Sequence, residues 1–151
     1  MWLQCKWQRY SQKTIEKELM FMTTDYQPTR NNPYLLPKAV YRRTLWIIRD
    51  YERLKAERNE LLYAQNYQQD GQPKGSGVGN PTENRALRLE QLSRDIEAVE
   101  QALQTVDEDM RSSIMSNICY RVPYPYYPGE RTWQRAKQKF IHQVAKNAGL
   151  A

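Results

Sequence analysis

The stretch "PKAVYRRTLWIIRDYERLKAERNELLYA", Pro37 to Ala64, decides the fold. Val40, Leu45, Ile48, Tyr51, Leu54 and Leu61 recur at three- to seven-residue intervals, roughly one helical stripe. Arg42, Arg43, Arg49, Arg53 and Lys55 occupy the other side. Pro37 suits a first helical turn, where its missing N–H would have no intrahelical partner. A helix of this length with a single apolar stripe must bury that stripe against something else.

The partner is legible downstream. "NPTE" reads as a helix start, with Asn80 as N-cap, Pro81 at N1 and Glu83 at N3. Leu87, Leu89, Leu92, Ile96, Val99 and Leu103 then form a second stripe to about Val106. Packing the two stripes together predicts an antiparallel helical hairpin. Between them, the Gly-rich residues 66–80 read as a flexible linker. "GQPKGSGVG" lacks the Lys-Ser/Thr ending of a phosphate loop and follows a helical pattern rather than a strand.

A third helix is expected from Asp107, where "DEDM" places acids against the helix dipole. Met110, Ile114, Met115, Ile118 and Cys119 give it an apolar side, and "YRVPYPYYPGE" (Tyr120–Glu130) ends it. The cluster "YPYY" (Tyr124–Tyr127) has two readings, a turn packed on the core or rings offered to bases and phosphates. A fourth helix begins near Glu130–Thr132 and runs to about Asn147, with Gly149 in the left-handed C′ position and Leu150 folding back. The predicted fold is all-α, a helical hairpin plus a C-terminal helix-turn-helix. Its regions are an N-terminal extension over 1–37, the hairpin over 38–106 and the helix-turn-helix over 107–151.

The extension contains "DYQPTRNNPYLLP" (Asp25–Pro37), read as an extended lead-in. Two readings of residues 1–21 stay open. Lys17–Glu18 can be encoded by a strong bacterial ribosome-binding sequence, which would put the start at Met22; the other reading is a short N-terminal helix. The intact mass of the native product distinguishes them, and retention of Met1 or Trp2 eliminates the later start.

Composition limits the function classes. Of 151 residues, 40% are hydrophobic and 26% charged, with eleven Tyr against two Phe, which predicts a thin core and a Tyr-rich surface. No apolar run approaches the roughly 18 residues that span a bilayer, and the N-terminus has no secretory h-region, so a cytoplasmic location is expected. Cys5 and Cys119 form no CxxC pair, and with His142 the sole histidine the ligands for a Cys/His zinc site are missing. Two unpaired thiols are expected, with a disulfide the alternative. His142 has no nucleophile or carboxylate near it in sequence, so no catalytic constellation, cofactor or metal is expected.

Charge is segregated along the chain. The formal net charge is +6. Between Pro81 and Met110 eight acids oppose three arginines, whereas Arg131–Ala151 carries only cations. In "RTWQRAKQKFIHQVAKNAGL" (Arg131–Leu150), Trp133, Ala136, Phe140, Ile141 and Val144 form the expected buried stripe. Arg131, Arg135, Gln138, Lys139, His142 and Lys146 fall opposite. A helix anchored by aromatics and presenting Arg, Lys and Gln has the make-up of a recognition helix. Arg pairs with guanine, Gln with adenine, and Lys with phosphate.

"LPKAVYRRTLWIIRDYERLK" (Leu36–Lys55) and "RTWQRAKQKFIHQVAKNAGL" resemble segments of the RinA/ArpU-type phage transcriptional regulators of Gram-positive bacteria. The likeness covers about Tyr34–Leu150 and includes "NPTE" and the central Gly-rich loop. The tail is also similar to the second helix of sigma-factor region 4, with its terminal Gly-Leu. The resemblance implies an activator of late or packaging genes in phages and prophages. It implies that Thr132, Gln134, Arg135, Gln138 and Lys139 face double-stranded DNA, while Trp133, Phe140, Val144 and Ala145 hold the helix. The expected DNA-binding set is then Arg131, Thr132, Gln134, Arg135, Gln138, Lys139, His142 and Lys146. Host RNA polymerase is a second expected partner, through either of the first two helices, and a homodimer is left open. The alternative is a phage assembly or packaging adaptor that touches DNA nonspecifically.

Overall fold

The computed structural model describes residues 27–63 and 81–151. It divides the chain into two units, Met1–Leu35 and Leu36–Ala151. The readings of residues 1–21, of Cys5, of the Gly-rich linker and of Asn80 as an N-cap lie outside the described residues.

In the first unit the expected extended lead-in is instead a turn. The Asn32 amide explains it: Nδ2 donates to the Pro28 carbonyl (2.8 Å) and Oδ1 accepts from the Tyr34 N–H (2.9 Å). An Asx side chain supplies the bonds that a backbone turn would otherwise need. Gln27 Nε2 adds a 3.1 Å bond to the Tyr34 carbonyl.

The second unit is all-helical among its described residues: α1 (Lys38–Tyr63), α2 (Pro81–Gln104), α3 (Glu108–Tyr120) and α4 (Glu130–Asn147). Pro37 stands just outside α1, and its carbonyl accepts the Tyr41 N–H at 2.9 Å. α1 and α2 form the expected antiparallel hairpin. Its register is visible in three ties that run in opposite senses along the two helices: Leu61 with Arg85, Glu57 with Arg88, and Tyr51 with Glu100. Glu57 receives Arg88 across the hairpin and Arg53 along its own helix, and these contacts hold its carboxyl below the usual carboxylate range. At the other end the Tyr51 phenol is pushed up to about 12, by burial first and by its hydrogen bond to Glu100 second.

The core runs through all four helices. It gathers Leu45, Ile48, Tyr51 and Leu54 of α1 with Leu92, Ile96, Val99 and Ala102 of α2. Ile114 and Ile118 of α3 and Trp133, Phe140, Ile141, Val144 and Ala145 of α4 complete it. Tyr41 and Thr44, which lie outside the stripe read from the sequence, are also buried. Thr44 can be, because its hydroxyl donates to the Val40 carbonyl one turn back at 2.8 Å.

α4 packs chiefly on α2, then on α1, and least on α3. The two C-terminal helices are therefore not a body apart from the hairpin; the expected division at 106/107 is crossed by a continuous core. The physical reason is size. α3 has few buried side chains, Met110, Ile114 and Ile118, and cannot cover the aromatic side of α4 alone.

The end of α4 follows the sequence reading closely. Gly149 has φ +70°, its N–H donates to the Lys146 carbonyl (3.0 Å), and the Leu150 N–H reaches the Ala145 carbonyl (2.8 Å). This is a Schellman motif, with Leu150 folded against the core.

Phe140 is wholly buried where α4 meets the hairpin. Phe140→Ala is expected to cost about 3–5 kcal/mol in equilibrium denaturation, while Lys139→Ala on the exposed side should stay within about 0.5 kcal/mol.

Candidate nucleic-acid interface

α4 is aimed by three attachments. The first is its own buried side, Trp133, Phe140, Ile141, Val144 and Ala145. The second is at its C-terminal end, where Asn147 Nδ2 donates to the Ala98 carbonyl of α2 at 3.1 Å. The third is Lys137, whose ammonium bonds Asn117 Oδ1 of α3 at 2.9 Å. Asn117 also donates from Nδ2 to the Val122 carbonyl at 2.9 Å, so one amide ties the end of α3, the turn after it and α4 together.

The turn over 121–129 is built rather than loose. Arg121 leaves α3 in the left-handed conformation (φ 58°), and Gly129 starts α4 at φ 120°. In that region a side chain would be strained. Gly129 offers its carbonyl to the Thr132 and Trp133 N–H groups. Tyr124 stacks on Trp133 with ring centroids 5.1 Å apart and planes 4° from parallel. Burial pushes the Tyr124 phenol well above its ordinary range. Tyr126 and Tyr127 behave oppositely, at 101% and 84% exposure. The two readings of "YPYY" thus divide by residue: Tyr124 packs the turn, and the other pair stands in solvent.

Of the eight residues expected to face DNA, Arg131, Thr132, Gln134, Arg135, Lys139 and Lys146 are exposed. His142 is half-buried. Thr132, Arg135, Lys139, His142 and Lys146 share an arc of about 80° and a length of about 21 Å along the helix. Gln134 lies off that line, and its amide donates to Glu130 at 3.1 Å. Glu130 stands just ahead of the carboxylate-free stretch, so the cationic face has one acid at its N-terminal border.

Gln138 requires a correction. It is only 6% exposed, and its Oε1 has no hydrogen-bond partner among the described residues. It does not face outward. The buried arc of α4 is wider than one apolar stripe because neighbouring helices cover it from several sides. Gln138, Ile141 and Ala145 sit at i, i+3 and i+7, a second line turned inward beside Trp133, Phe140 and Val144. Ile141 and Ala145 at i, i+4 are the signal for that second line; the polar Gln138 conceals it.

Sequence reasoning also missed which cation is structural. Lys137 is half-buried and engaged with Asn117, so it belongs to the scaffold, while Arg135 and Lys139 on either side of it face solvent. Arg49 of α1 is structural in part as well. Its Nε donates to the Ile118 carbonyl at 3.1 Å, placing a guanidinium at the C-terminus of α3, which has no basic residue in its own last turn. Beside it the Cys119 thiol donates to the Ile48 carbonyl at 3.7 Å, and burial raises its pKa. Cys119 is a free cysteine.

Comparison with protein families, curated proteins and solved structures returns no match, so the reading of this surface rests on its own residues. No helix among the described residues is long and apolar enough to cross a membrane.

Gln138→Met keeps side-chain length and removes the unpaired buried oxygen. It should leave stability equal or raise it by about 1 kcal/mol, measured by denaturant titration, and leave binding to duplex DNA unchanged. A loss of duplex affinity without a loss of stability would return Gln138 to the reading face.

Proposed function

We propose that the protein is a sequence-specific DNA-binding transcription regulator of phage or prophage type, acting in the bacterial cytoplasm. The observation that carries this reading is the outward stripe of α4, where Arg135, Lys139 and Lys146 project without a carboxylate among them from a helix rigidly set in the core. A polyanion satisfies such a face, and a stripe about 21 Å long matches the reach of a major groove contact. In this reading Lys139 and Lys146 bind phosphate, which makes affinity fall steeply with salt. Arg131, Thr132, Gln134 and Arg135, in the first turns, supply base contacts. Burial of Gln138 removes one adenine-reading side chain, and Gln134 must leave Glu130 to take up that role. The resemblance of Leu36–Lys55 and Arg131–Leu150 to RinA/ArpU-type regulators supports activation of late or packaging genes as the outcome.

One observation favours a second reading. With Gln138 turned inward, the middle of the stripe is Lys139 and His142, better suited to backbone than to base edges. A helical assembly or packaging adaptor that holds DNA nonspecifically would use such a face. Titration against its own upstream phage DNA and against random duplex separates the two, and equal affinity for both selects the adaptor.

Selection of bound sequences from random DNA tests the leading reading, and a palindromic product indicates a dimer. Arg135→Ala is expected to cost about 1–3 kcal/mol at the selected site and to relax one base preference. Mobility-shift titration equal to the wild type would remove Arg135 from the reading face.

A further inference from the structure

The N-terminal half of α1 is a second cationic face that the DNA-binding reading does not use. From Lys38 to Arg49 the helix carries Lys38, Arg42, Arg43 and Arg49, and the first carboxylate is Asp50. Asp50 is already engaged by Arg53, whose Nε bonds it at 2.6 Å. Arg42 and Arg43 are exposed, and no ion pair or hydrogen bond engages either among the described residues. Between them and Arg49 stands Trp46, 70% exposed.

Trp46 is not surplus from the core. The buried side chains Tyr41, Thr44, Leu45, Ile48 and Tyr51 of α1 spread over one side, whereas the ion-paired Asp50, Arg53 and Glu57 continue the line of Trp46 toward the C-terminal end of the helix. These buried side chains share one core cluster with those of α4. Trp46 lies about 160° from the middle of that buried side, with Arg42 and Arg43 flanking it one turn earlier.

We infer that Arg42, Arg43 and Trp46 form a docking face for an acidic amphipathic helix of a partner protein. Trp and Arg are the residue types that dominate protein–protein binding energy, and here they share one exposed helix face. A helix surface is met by another helix surface, ridge against groove, with an apolar side chain for the indole and carboxylates for the guanidinium groups. Charge selects among occupants. A second copy placed symmetrically on this face would set Arg against Arg. The chain's own residues 1–26 bring Lys6, Arg9, Lys13 and Lys17 against only Glu16, Glu18 and Asp25, and residues 64–80 bring one Lys and one Asp. The acid-rich segment of this chain, α2, is already packed on α1 in the hairpin. The face thus calls for an acidic partner in trans.

The test uses the full chain and a fluorescent synthetic helix with Glu on its polar face and Leu and Phe on its apolar face. A second peptide has every Glu replaced by Gln. Anisotropy titrations should show salt-sensitive binding of the Glu peptide and much weaker binding of the Gln peptide. Trp46→Ala and the double variant Arg42→Glu, Arg43→Glu should each weaken the Glu peptide roughly tenfold or more, with melting temperatures held, while Arg135→Ala leaves it unchanged. Duplex DNA binding should show the reverse pattern. No binding of the Glu peptide to the wild type, or equal binding to wild type and Trp46→Ala, overturns the inference. Loss of duplex binding in Trp46→Ala overturns it in favour of a nucleic-acid face. A wild type that takes the peptide but ignores duplex DNA supports this inference and sinks the DNA-binding reading instead.

Discussion

Everything outward on this protein depends on one inward event, the seating of Phe140, Ile141 and Val144 of α4 in the cluster that holds Ile48 of α1 and Ile96 and Val99 of α2. All six are wholly buried. The hairpin by itself would leave that side of its own stripes in water, and α4 by itself would expose Trp133 and Phe140. Neither arrangement is tolerable for large apolar surfaces, because their transfer from water is the main favourable term in folding. The cationic stripe of α4 is held outward by the same packing that hides its aromatics.

Polar ties then set the angles that non-directional burial leaves free. Each links an element end to a neighbour: Arg49 to the last turn of α3, Asn117 to Val122 and Lys137, and Asn147 to Ala98. The Arg49 bond in addition satisfies a carbonyl in the last turn of α3, where helix carbonyls have no intrahelical partner. The long turn before α4 is ordered in the same way, by the Tyr124–Trp133 stack and by Gly129 and Arg121 at positive φ. A turn longer than that of the simplest helix-turn-helix can therefore still deliver its second helix in a defined direction.

Electrostatics partitions the surface. Acids are concentrated in the hairpin, and several are consumed there by Arg53, Arg88 and Arg94. Arg42 and Arg43 of α1 and Arg135, Lys139 and Lys146 of α4 are exposed, and none of them is in an ion pair among the described residues.

Helix positions were readable because each has a local cause that needs no knowledge of its neighbours. The apolar period of α1 and α2, the Pro81 start, the prolines after Tyr120 and the Gly149–Leu150 cap all act within a few residues. The buried role of Trp133, Phe140 and Val144 was readable for the same reason. Tertiary structure alone decided how many sides of a helix are covered. Gln138 is hidden because α4 is met by more than one helix, Tyr124 is buried while Tyr126 is not, and Lys137 is a scaffold residue between two solvent-facing cations. Periodicity reports where apolar groups recur, but burial of a polar residue depends on what arrives from elsewhere in the chain, and one helix carries no record of that.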